Sequence, residues 1–283
     1  MQPSRWQIEC IGSYSDVSLW QVERAVGNGS VGLGTWGGSL AGNDAVIITQ
    51  ELRKRGFHAR CHVLNPTVAD MRLLEAVLGN DGVVAVGCEG GERTRSLCME
   101  DLSGRRSWVF SRLPAPTTDL EGIGSDIVYV DCYVEFVEYL NAQLQRLRQD
   151  RKVLFLNLST LTPSSDFPRL NVKPDVLQAS ISSAFGPEEI TEVGSRLFES
   201  TRAERIFITM GARGAALVMR NATWQHASRL VVPKSVLGAG ALFSAEIISG
   251  LLAGIDQREL LEQAVDRTAS LLHVRTNDKG GCS

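Results

Sequence analysis

The chain has 283 residues, of which 43% are hydrophobic and 22% charged, and its formal net charge is -3. Those values suit a globular protein with a sizeable core, built as one large domain or two modest ones. They argue against a dedicated nucleic-acid or anionic-membrane binder, so neither is expected as a partner.

In chain order, "WQIECIG" at 6–12 reads as a strand and "LAGNDAVIITQELRKRG" at 40–56 as a helix closed by Gly56. A strand follows at 58–64, then a helix at 67–82 with Gly79 and Asn80 as stop signals. The stretch 83–112 differs. Its strand-like pieces "VVAVGCEG", "TRSLCMED" and "RSWVFSRL" are joined by "GGER" and "LSGRR", typical hairpin connections. Strand–helix alternation then returns, with strands at 126–131, 152–159 and 205–211 and helices at 133–149, 187–200, 239–253 and 257–275.

This alternation predicts an α/β fold, a mainly parallel sheet covered by helices on both faces. The blocks at about 13–36 and 83–112 fall outside it and predict a small antiparallel β-lid over the strand ends. A single domain over 1–283 is expected, without internal repeats or an interdomain linker. The N-terminal stretch enters a strand-like run with no apolar signal core, and the longest apolar stretch, 236–255, is broken by Ser244, Glu246 and Ser249. It reads as a buried helix, and the expected location is cytoplasmic. Cys10, Cys61, Cys88, Cys98, Cys132 and Cys282 form no CxxC pair, which fits a reducing compartment and buried thiols.

Three motifs carry chemistry. "ITMGARGAALV" at 208–218 places a Gly211–Gly214 turn at a strand end, and "VLGAGALFSAEIISGLLAG" at 236–254 runs a glycine loop into a helix. Amides at a helix N-terminus point outward unpaired and favour anions, and glycine lets a phosphate approach closely; a tight helix–strand junction also selects small residues. "GSYSDVSLW" sets Asp16 just beyond the first strand, as a polyol ligand or an exposed turn residue. "TWGGSLAGNDA" offers Gly37 and Gly38 for close approach, with Asn43 opening the next helix as a substrate ligand or an N-cap.

Together these motifs resemble the ribokinase-like family, the PfkB-type carbohydrate kinases, over essentially the whole chain and most strongly at 205–275. The resemblance implies a ribokinase-like fold and phosphoryl transfer from ATP, with Mg2+, to a hydroxymethyl group of a sugar or sugar derivative. It implies substrate contacts from Asp16, Gly37, Gly38 and Asn43, and a nucleotide site lined by Thr209, Gly211 and Gly214. Gly238, Ala239 and Gly240 would form the anion hole. A sugar-like substrate, a nucleotide and a second copy docked through the lid are the partners implied.

The chain departs from that family where protons and metal are handled. The general base should follow the anion hole directly, and Ala241 stands there. Asn157 replaces a usual Asp, and "PDVLQASISSAFGPEE" lacks the metal-organising Asn-x-x-Glu motif, with no acid before Glu188. "LNPTVAD" replaces a Gly-Asp-Asp turn. The 152–189 region resembles the fructoselysine-kinase branch, which keeps its catalytic Asp. Ser244 and Glu246 are poor substitutes for the base, the first by chemistry and the second by its angle on the helix. These departures predict weak or absent kinase activity with no protein metal site. The alternatives are a ligand-binding or regulatory pseudokinase, or a scaffold turned to other chemistry.

Overall fold

The structure, a computed structural model, describes residues 6–23, 34–41, 43–87, 95–102, 106–110, 118–120, 123–132, 137–149, 153–162, 167, 169–182, 185–229 and 236–277. The "GGER" connection, most of "LSGRR", Asn28, Gly42, Cys88, Ser183, Ala184 and Cys282 lie outside them.

The first half of the chain forms Gln7–Ser13 (β1), Asp16–Val22 (β2), Gly34–Ala41 (β3), Asp44–Lys54 (α1), His58–Leu64 (β4), Val68–Leu78 (α2), Val83–Val86 (β5), Arg95–Asp101 (β6), Arg106–Phe110 (β7) and Ile127–Cys132 (β8). The second forms Val137–Gln149 (α3), Val153–Leu161 (β9), Val176–Ile181 (β10), Ile190–Thr201 (α4), Arg205–Thr209 (β11), Ala215–Met219 (β12), Ala222–His226 (β13), Ala239–Ala253 (α5) and Gln257–Asn277 (α6).

Nine strands make one sheet in the order β13-β12-β11-β10-β9-β8-β1-β4-β5. Its pairs are parallel except β11–β12 and β12–β13. The central strands are apolar on both faces. Ile127 and Tyr129 enter one core cluster, Val128 and Val130 the other. Residues of α1, α2, α5 and α6 pack into the first cluster and residues of α3 and α4 into the second. The predicted sheet with helices on both faces is present.

The block 83–112 divides, correcting the expected lid boundary. Val83–Val86 pairs in parallel with β4 as an edge strand of the large sheet. Four apolar residues are too few for periodicity to distinguish a buried strand from a hairpin arm. The small sheet, in the order β3-β2-β6-β7, has antiparallel hairpins on either side of a parallel β2–β6 pair. Residues 40–41 complete β3 rather than begin the helix, which starts at Asp44. Helix α2 starts where Thr67 and Asp70 form a capping box and ends at Gly79, short of the predicted 82. Cys10, Cys61, Cys98 and Cys132 are free and buried. Among the described residues no helix is long and apolar enough to cross a membrane.

Candidate functional site

Helices that follow parallel strands start at the strands' carboxyl ends, and open α/β sheets bind ligands there. Helices α1 and α5 pack side by side, with Ala45 and Ala241 in the same core cluster. The side chains of Ser13, Asp131, Asn157, Gln178, Ser180 and Thr209, all on β1 and β8–β11, bond to one another, to the loop before α1 or to α5.

On the α1 side, Asn43 is the N-cap residue, but its side chain makes no capping bond. Its amide donates to Ser13 Oγ at 2.8 Å and its oxygen accepts from Ser15 Oγ at 3.3 Å. Ser15 Oγ in turn meets Ser96 Oγ at 2.8 Å, which ties β6 to this junction. Asn43 therefore fixes the crossing between the two sheets. Asp16 begins β2 beside it, half-buried, with Ala41 and Arg95 as its strand partners. Leu19 pairs with Gly38 and Trp20 with Trp36, so Gly37 is the extra residue of a β-bulge.

Beneath α1 lie acids that no motif announced. Asp131 is 1% exposed; its Oδ2 accepts from the Ala45 amide at 2.9 Å and its Oδ1 from Tyr129 Oη at 2.5 Å. Asn157 Nδ2 donates to Asp44 Oδ2 at 3.0 Å and to Asp131 Oδ1 at 3.3 Å. Burial, then the neighbouring Asp44 carboxylate, pushes the Asp131 carboxyl up to about 7, against the three hydrogen bonds that favour its charge. The strand below must approach closely: a Cβ on Gly12 would lie 2.6 Å from Asp131 Oδ2.

On the α5 side, Gly238 is the N-cap in the left-handed region at φ 79°, where other residues are strained. The Ala239 amide is engaged by Val236 O at 3.1 Å and the Leu242 amide by Gly238 O at 3.0 Å. The amides of Gly240 and Ala241 have no backbone acceptor among the described residues. A Cβ on Gly240 would meet only Gln178 Nε2, at 3.7 Å. Of these two residues, Gly240 is one of the three expected to form the anion hole. Ala241 as a whole, amide and methyl group alike, is fully buried in the core.

Thr209 ends β11 and shares a 2.7 Å hydrogen bond with Ser180 of β10. Gly211, at φ 61°, has open space around it. Gly214 serves the fold, because a Cβ there would lie 2.0 Å from His226 O. Neither Ser244 nor Glu246 stands ready as a base. Ser244 is fully buried and donates to Gln178 Oε1 at 2.7 Å. Glu246 is buried against Arg55 and lies 3.5 Å from Arg267.

No protein-family model and no curated protein matches the sequence. Solved structures do match along nearly the whole chain. A ribokinase from Giardia lamblia aligns with TM-score 0.69 at 13% identity, covering 98% of this chain and 94% of that one. A microbiome-derived acarbose kinase aligns with TM-score 0.72 at 15% identity, over 99% and 95%. Arabidopsis thaliana ribokinase, solved with ribose and ATP, aligns with TM-score 0.63 at 18% identity, over 99% and 94%. The fold is ribokinase-like.

Gly211 and Gly240 leave open the space a Cβ would fill. The stretch expected to organise Mg2+ instead presents neutral groups, Asn157 and Ser180, already hydrogen-bonded to neighbours. Among the described residues no group of three His, Cys, Asp or Glu side chains could hold an ion. These residues do not fit a dedicated Mg2+ site.

Proposed function

We propose that this chain is a divergent ribokinase-like carbohydrate kinase homologue, closest in character to the fructoselysine-kinase branch. It binds a sugar-like ligand beside Asp16, Gly37, Gly38 and Asn43, a nucleotide at Thr209, Gly211 and Gly214, and the phosphate that carries the developing charge at Gly238, Ala239 and Gly240. It transfers phosphoryl groups weakly or not at all. One observation carries this reading: two adjoining helix N-termini at the carboxyl edge of a ribokinase-like sheet, with Ala241 where a base would act.

The chemistry follows from the groups present. ATP, with Mg2+ carried on its phosphates, would supply the transferable phosphoryl group. Outward amides at the start of α5 stabilise negative charge on a phosphate oxygen. A methyl group cannot take the proton of an attacking hydroxyl, and losing a positioned base typically costs about 10²–10⁴ in rate. The burial of Ala241 favours the second reading, a cytoplasmic ligand-binding or regulatory protein.

Calorimetric titration with ATP, ADP and a sugar panel, beside an ADP-release assay, tests both. Binding at millimolar concentration or tighter is expected, with turnover well under the roughly 1–100 s⁻¹ usual for kinases. Gly240→Val should abolish nucleotide binding. Absence of binding by the native protein would refute the proposal, and turnover in the usual range would refute the loss of activity.

A further inference from the structure

Asp131 is buried near the carboxyl end of β8, and each of its hydrogen bonds comes from a donor. The Ala45 N–H bonds to Oδ2 at 2.9 Å, while Tyr129 Oη, at 2.5 Å, and Asn157 Nδ2, at 3.3 Å, both bond to Oδ1. The amide groups of Ala45 and Asn157 can only donate here, whereas a phenol also accepts. A proton placed on Asp131 therefore has one acceptor in this set, Tyr129 Oη, and using it turns that bond around.

Asn157 brings in a second carboxylate. The two hydrogens of its Nδ2 go one each to Asp131 Oδ1 and, at 3.0 Å, to Asp44 Oδ2. Asp44 is the first residue of α1 and Ala45 the second, so both ends of the cluster close on one helix turn. The Gly12 backbone crowds the cluster from β1, where a Cβ would lie 2.6 Å from Asp131 Oδ2. None of these partners is a cation.

We infer that Asp131, Asn157 and Asp44 form a proton-operated latch on the first turn of α1. With the proton in place, Ala45 is held by a neutral acceptor and Asp44 has an uncharged neighbour. Without it, a carboxylate grips the Ala45 amide more strongly, while two negative charges face each other across Asn157. An aspartate at 157 would add a third carboxylate and withdraw the donor that the other two share. The latch needs no ligand. Its bearing on binding, through Asn43 one residue before Asp44, rests on the proposed reading of Asn43 as a ligand contact.

Burial, then the Asp44 carboxylate, sets the switch near neutrality by raising Asp131 to about 7. Burial also pushes Cys10 and Cys132 up to about 12 and Cys61 well up, so the surrounding thiols stay protonated. Glu9 alternates with Cys10 along β1 and points to the other face, bonded to Arg60 and His62 of β4. From α5, Glu246 meets Arg55, the residue that caps the far end of α1.

The test follows the Ala45 amide by NMR in the free protein across about pH 5 to 9, on either side of the Asp131 value. Asp44–Ala45 is the only Asp-Ala pair in the chain, so isotopic labelling of the aspartate carbonyl carbon and the alanine nitrogen singles out this amide. Its shift should titrate with a midpoint near pH 7. Asp131→Asn should abolish that titration. Tyr129→Phe should move the midpoint upward, because the carboxylate loses more than its acid form when the hydroxyl is removed. The readout uses no ligand, so failure of the latch and failure of the ligand reading are told apart.

A native shift that stays flat, or a titration that survives unchanged in Asp131→Asn, overturns the inference. Should Asp131→Asn fail to fold, Tyr129→Phe decides: an unchanged midpoint overturns the inference and a raised one sustains it.

Discussion

Asp131 shows what burial does to a single carboxyl group. Folding raises it from 3.8 to about 7, so between those values the folded chain holds a proton that the unfolded chain has released. Its contribution to stability is therefore complete below about pH 4 and is lost as pH rises through about 7. Replacing Asp131 by Asn removes the titration. Thermal unfolding of the variant should lack the part of the native decline between about pH 4 and 7 that this group causes, and identical pH profiles would contradict the account. Ala241 poses the complementary case. Ala241→Asp would set a carboxylate among apolar side chains, at a cost above the about 1–3 kcal/mol of an unpaired neutral polar group. In a chain of this size that lowers Tm by several degrees. ADP release by the variant should rise less than about tenfold, below the 10²–10⁴ that a positioned base is worth, because a base does not correct the neutral set at Asn157 and Ser180. A hundredfold rise would show that only the base had been lost.

At the scale of elements, the clearest features are those whose ends are marked by local chemistry. Helix α5 spans 239–253 as expected, because Gly238 and Gly254 both take left-handed backbone, at φ 79° and φ 70°, and announce its two ends. Elements lacking such marks were misread or missed. Val83–Val86 offers four apolar residues without a period, and the sequence reading assigns no element to the β12–β13 hairpin. The site divides in the same way. Asn43, Gly211 and the loop before α5 are candidates legible in the sequence because glycine and Asn mark turns and helix starts. Asp131 and Gln178 are not, since each is one polar residue inside an apolar strand. Their meaning lies in partners far along the chain, such as Gly240, which is 62 residues beyond Gln178.

For the whole molecule, the small sheet carries apolar side chains on both sides. Val17, Leu19 and Cys98 form its inner face, packed with Trp108 and Leu237. On the outer face Trp36, Trp20 and Val109 are 60%, 39% and 56% exposed, and strand pairing aligns them with Met99 and Leu97 in two adjacent rows. A second copy covering this strip is the homodimer we propose. Sedimentation should show a native dimer that Trp36→Ser shifts toward monomer, and a native monomer at tens of micromolar would exclude it. The inner face has a different consequence. Leu237 immediately precedes Gly238, the N-cap of α5, so the small sheet packs against the residue that leads into that helix. If the sugar-like ligand and the phosphate bind on either side of this contact as proposed, a shift in the sheet upon binding the first changes the free energy of binding the second. Any such coupling is reciprocal, whether or not chemistry follows. A chain with alanine in place of its base could then still register the joint presence of two solutes, as a coincidence detector assembled from a kinase scaffold.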